Sequence, residues 1–121
     1  MDIKIKTTDY QMTPEVSDYL NEKIATLEKH VSSDGPPARC EVEVGRSVGH
    51  HLQGKVWRAE VQIIRGAERV RAEAAGESVN AAIDAAKDEI LRQLRHVKGK
   101  RFATMRRAGK RLKDWLRLGN S

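Results

Sequence analysis

Between residues 39 and 76 apolar and polar residues alternate in three short runs, and this restricts the chain to folds whose sheet has one wet face. Cys40, Val42 and Val44 alternate with Arg39, Glu41 and Glu43. Trp57, Ala59, Val61 and Ile63 alternate with Arg58, Glu60 and Gln62, and Val70, Ala72 and Ala74 with Arg69, Arg71 and Glu73. Successive strand side chains point to opposite faces, so each run presents one apolar and one polar side. The links between the runs are short or polar (Gly45 to Gly54, then a tight turn at Gly66), which predicts an antiparallel meander. Asp2 to Thr7 also alternates, with Ile3 and Ile5 on one side, and predicts a short half-buried strand.

One apolar sheet face needs a cover, and two amphipathic segments supply it. Thr13-Pro14 reads as a helix start, with Thr13 as N-cap, Pro14 at the first helical position and Glu15 suited to the dipole. Val16, Leu20, Ile24, Leu27 and Val31 follow at helical spacing, which takes the helix to about His30. Residues 32–37 form a loop by composition. Gly76 closes the last strand and Ser78 is a candidate N-cap. Val79, Ile83, Ala86, Ile90, Leu94 and Val97 then make one buried stripe. The order β-α-β-β-β-α predicts an α+β two-layer sandwich, a four-stranded sheet with two helices on one face. Gly99 is a break, and beyond it Phe102, Met105, Leu112 and Leu116 keep helical spacing on a basic C-terminal helical tail.

Charge is distributed unevenly. Residues 98–121 carry nine basic residues against Asp114 alone, a net +8, whereas residues 1–97 carry 14 basic and 16 acidic residues, a net −2. A concentrated positive field draws polyanions, which makes nucleic acid the first expected partner and an anionic membrane surface the second. No apolar run approaches the roughly 20 residues that span a bilayer, and Met1 to Thr7 lacks the apolar stretch of a secretory leader. A single cysteine, Cys40, allows no internal disulfide and fits a cytoplasmic setting; its place among core valines predicts a small buried hydrophobe.

Enzyme chemistry finds no foothold in the sequence. There is no glycine-rich phosphate loop, no serine-centred nucleophile motif and no paired cysteines. His50 and His51 are adjacent in a loop with nothing to complete a metal site. The expectation is a binding protein with no metal, no cofactor and no small-molecule substrate. Because the only strand aromatic, Trp57, lies on the core face, base stacking across the sheet is not expected; recognition would run through the helices, by shape and phosphate contact. With Ile90 at the centre of the buried face of the second helix, Lys87, Arg95 and Lys98 fall on one flank beside Leu91. Arg92 lies toward the outer face and Lys100 on the opposite flank. The first helix offers Lys23 and Lys29, so a cationic groove between two helices on one side of the sheet is geometrically available. Ion pairing at i, i+4 is the competing use of these charges, with Asp88 four residues before Arg92.

Several strings resemble the ribosome hibernation-promoting factor family, also described as ribosome-associated inhibitors or sigma-54 modulation proteins. The resemblance covers about residues 1–100. It is most specific over Gly76 to Lys100, through Ala81-Ala82-Ile83-Asp84, Arg92-Gln93-Leu94, Lys98 and Lys100, with Leu27-Glu28-Lys29-His30 on the first helix. It implies a fold similar to double-stranded RNA-binding domains. It also implies a translation inhibitor that occupies the messenger and transfer RNA channel of the small ribosomal subunit and contacts its ribosomal RNA. By position, the resemblance implies contacts at Lys23, Lys29, Arg92, Lys98 and Lys100. Lys87 and Arg95 come from the face analysis, and Arg101 opens the basic segment beyond. Members often carry a basic residue where this chain has Glu89 and a Tyr where it has Asn80. Long members carry a C-terminal dimerisation domain, and the expectation for this sequence is a short form without one. The expected organisation is a ribosome-binding domain over residues 1–100 and a basic amphipathic extension over 101–121. Two other functions compete: a general structured-RNA-binding protein, and a peripheral membrane or protein-docking module that uses the tail, a less favoured reading.

Overall fold

The structure is a computed structural model that describes residues 1–31, 35–47 and 56–97. Its elements are β1 (Asp2–Thr8), α1 (Pro14–Glu28), β2 (Arg39–Arg46), β3 (Trp57–Arg65), β4 (Glu68–Gly76) and α2 (Val79–Val97). They form one four-stranded sheet in the order β1-β2-β3-β4. β1 runs parallel to β2, with Ile3 beside Cys40 and Ile5 beside Val42. β2, β3 and β4 pair antiparallel, as the short links require.

Local chemistry sets the boundaries. The Thr13 side chain accepts a hydrogen bond from the Val16 backbone N–H at 3.2 Å, with Pro14 at the helix start. Ser78 Oγ accepts from the Ala81 backbone N–H at 3.0 Å. Gly66 turns β3 into β4 at φ 57°, a left-handed conformation that costs glycine little. α1 stops at Glu28, slightly before the expected His30, with Lys29 as C-cap. β2 continues through Gly45 to Arg46, past the expected end of that strand.

The core lies between the sheet and the helices. Leu20, Ile24 and Leu27 from α1 and Ile83, Ala86, Ile90 and Leu94 from α2 close over Cys40, Val42, Val44, Ala59, Val61, Ile63, Val70 and Ala72. Burial holds the Cys40 thiol protonated, its pKa pushed up to about 11, with Glu28 and Glu41 adding to the shift. One expectation fails. β1 is exposed along its length, with Ile3 and Ile5 both 39% accessible. The register puts them on the core side, but β1 is an edge strand beyond the helices' main cover, so alternation there does not become burial. A second feature escapes the apolar pattern: Arg65 continues the inward alternation of β3 and is 3% accessible, the one buried charged residue among those described.

Candidate nucleic-acid interface

Topology decides where the cations gather. β1 and β2 are parallel, so the connecting α1 runs opposite to both. β4 points the same way as β2, and α2 runs back along β4: Gly76 lies against the start of α2, and Gln93 Nε2 donates to the Arg71 carbonyl at 2.9 Å near its end. The two helices therefore run in the same direction on one side of the sheet, and their C-terminal ends share one pole. Lys29 sits there as the exposed C-cap of α1, and Arg95 with His96 in the exposed last turn of α2. Among the described residues neither Lys29 nor Arg95 has a carboxylate within salt-bridge distance. Cations in a last turn are also favoured by the helix dipole.

Between the helices the arrangement is different. Tyr19 Oη donates to Asp84 Oδ2 at 2.5 Å, and Lys23 Nζ lies 3.8 Å from Asp84 Oδ1 and 4.8 Å from the Tyr19 ring centroid. The hydrogen bond to Asp84, then burial, raises the Tyr19 pKa to about 12. Lys87 is one turn beyond Asp84 on the same flank of α2, half-buried and 2.7 Å from Asp88. The seam between the helices, where a cationic groove was geometrically available, thus carries carboxylates beside both of its lysines, Asp84 near Lys23 and Asp88 on Lys87.

Arg92 is exposed and engaged. Its Nε donates to Glu89 Oε2 at 2.7 Å and its NH2 to Glu89 Oε1 at 2.6 Å. The pair pulls the Glu89 pKa below the usual carboxylate range. Arg92 chooses the i−3 carboxylate over Asp88 at i−4. Lys98, Lys100 and Arg101, like the His50–His51 pair and the basic tail, lie outside the described residues.

On the open face of the sheet, arginines pair with glutamates. Arg58 reaches Glu73 at 2.7 Å, Glu60 at 3.4 Å and Glu43 at 3.8 Å, while Arg71 bonds Glu60 and lies 3.3 Å from Glu73. Thr8 donates to Glu43 at 2.7 Å, and this bond and the neighbouring cations lower the Glu43 pKa. Arginines already committed to glutamates gain little from a phosphate. No aromatic side chain lies on it among the described residues. No three His, Cys, Asp or Glu side chains among them are placed to hold a metal ion, and no helix among them is long and apolar enough to cross a membrane.

Residues 3–101 match the family described as sigma 54 modulation protein / S30EA ribosomal protein. The fold is similar to that of solved structures, among them the following two. The N-terminal domain of Protein Y from Thermus thermophilus is 30% identical at a TM-score of 0.62, and the match covers 79% of this chain and 98% of that one. A ribosomal subunit interface protein from Coxiella burnetii shares the fold at a TM-score of 0.66 and 12% identity, over 83% of this chain and 100% of that one. A search of curated proteins finds no match.

Proposed function

Since this chain belongs to the sigma 54 modulation protein / S30EA ribosomal protein family, we propose that it is a ribosome-associated translation inhibitor of the hibernation type. In this reading it binds the small ribosomal subunit in the channel for messenger and transfer RNA. It acts by occupancy rather than catalysis, as a cytoplasmic protein.

One observation carries the choice of surface. On the open face Arg39, Arg58 and Arg71 are spent on glutamates, whereas Lys29 and Arg95 stand exposed and without a carboxylate partner among the described residues, at the common end of the two helices. Phosphate neutralisation releases counterions only where the cation is not already neutralised. Lys23, Lys87 and Arg92 lie along the same helices but share their charge with Asp84, Asp88 and Glu89, so they add less, and Lys98, Lys100 and Arg101 continue the surface in sequence. Residues 101–121 add sequence-independent attraction.

Added stoichiometrically to a purified translation system, the protein is expected to suppress initiation, and the suppression should weaken as salt rises. Undiminished peptide synthesis with the protein bound to every small subunit would rule out inhibition by occupancy.

A further inference from the structure

At the pole opposite the helix C-termini, one arginine of the sheet is held by an aromatic ring. Arg46 ends β2 opposite Trp57, which begins β3. Its guanidinium carbon lies 4.9 Å from the Trp57 ring centroid. Trp57 is fixed from its other neighbours by Tyr10, whose ring meets it edge-on at 5.1 Å and 75°. Arg39, Arg58, Arg71 and Arg92 all bond carboxylates; Arg46 is exposed and has none within salt-bridge distance among the described residues. The register places it on the helix-bearing side, where the N-termini of α1 and α2 also point. Along α2 the 16 residues from Val79 to Arg95 separate this pole from Arg95 by about 24 Å at 1.5 Å per residue.

We propose that the Arg46–Trp57 stack is a second RNA contact, which takes an unpaired nucleotide with its base on the outer face of the guanidinium and its phosphate on the outward N–H groups. The proposal rests on the ribosome-binding reading above. A planar, weakly hydrated cation already laid on an aromatic has lost part of its rotamer freedom before binding. It offers a flat second face to a base as well as donors to a phosphate. RNA is favoured over an acidic protein segment because a base can stack on a guanidinium held 4.9 Å from the Trp57 ring centre as well as bond it through phosphate, and the helix dipoles add positive potential at the same end. With Lys29 and Arg95 at the other pole, the domain would bridge two separate RNA segments.

Arg46→Met tests this in the full-length chain, because methionine still covers the Trp57 ring but has neither charge nor plane. Native near-ultraviolet circular dichroism of the Trp57–Tyr10 pair shows that the end of the sheet is intact. Affinity for purified small ribosomal subunits should fall at least about fivefold, the low end for loss of one stacked base. Nucleotide footprinting should lose one protected RNA segment and keep another. Wild-type affinity with an unchanged footprint overturns the proposal and leaves the ribosome-binding reading standing. So does weaker binding with the RNA footprint intact, which would assign Arg46 to a ribosomal protein. A wild-type chain that does not bind the subunits overturns both.

Discussion

Tyr19 on α1 donates a 2.5 Å hydrogen bond to Asp84 on α2, so the two helices are joined on their outer edge by a polar pair whose acid also faces Lys23. The phenol is held protonated, its pKa raised to about 12 from an ordinary 10 by the hydrogen bond to Asp84 above all. The protonated form is the one the fold prefers. Its contribution to stability is therefore complete below pH 10 and is lost as pH rises through 12.

A spectrophotometric titration in a Tyr10→Phe background should show Tyr19 ionising near 12, and Asp84→Asn should move it back toward 10. Tyr19→Phe should cost about 1 kcal/mol, a typical single hydrogen bond, and abolish the alkaline loss of stability assigned to this group. A Tyr19 titration that Asp84→Asn leaves unmoved would contradict the pairing.

Glu89 and Arg92 predict a gain of function. Glu89→Gln removes the carboxylate that Arg92 now grips and leaves the guanidinium for phosphate. Binding to small subunits should tighten, and the slope of log affinity against log salt should steepen by roughly 0.7–0.9 for one added contact. Equal or weaker binding would mean that Arg92 faces no RNA.

Gly76 predicts a packing defect. A Cβ there would lie 2.5 Å from the Ala82 backbone nitrogen and 2.9 Å from the Ala81 carbonyl carbon. Backbone cannot move aside as a flexible side chain can, so Gly76→Ala should lower stability by roughly 1–3 kcal/mol, read by urea unfolding. A neutral substitution would show that α2 starts farther from β4.

Much of this was legible in the sequence, for reasons particular to each element. Period-two runs such as Val42–Val44 and Val61–Ile63 name their own buried face, and Thr13-Pro14 and Ser78 name their helix starts. Ile3 and Ile5 mislead because alternation encodes a face and not a position in the sheet; only the parallel edge placement of β1 explains their exposure. The interface was harder to read. Spacing put Lys87 and Arg95 on one flank and Arg92 outside, but not that Arg92 would choose Glu89 over Asp88, since both spacings are sterically open on a helix. Nor did it pair Tyr19 with Asp84, a contact between residues 65 apart. Arg65 carried a readable signal, as it extends the inward alternation of Trp57 to Ile63. Arg46 carried one only once its register with Trp57 was known.

The tail gives a prediction from charge alone. Residues 101–121 hold seven basic residues against Asp114, a net +6, so a chain cut after Lys100 is formally neutral. The shortened chain should keep its site on the small subunit but bind more weakly at low salt, with a flatter salt slope by roughly 0.7–0.9 for each phosphate contact removed. An identical slope would make the tail a bystander in RNA binding.

The central claim is that the helix-bearing side, and not the open face of the sheet, meets the small subunit. It is tested most directly by co-sedimenting purified small subunits with two full-length double variants of equal charge. Lys29→Gln with Arg95→Gln removes two cations at the shared helix end. Lys4→Gln with Lys6→Gln removes two that lie beside Glu41 and Glu43 on the open face. The account predicts that the first pair lowers both affinity and salt slope, the slope by roughly 1.4–1.8 for two lost contacts, while the second binds as the unaltered protein does. Equal losses from the two pairs, or a larger loss from Lys4 and Lys6, would contradict it.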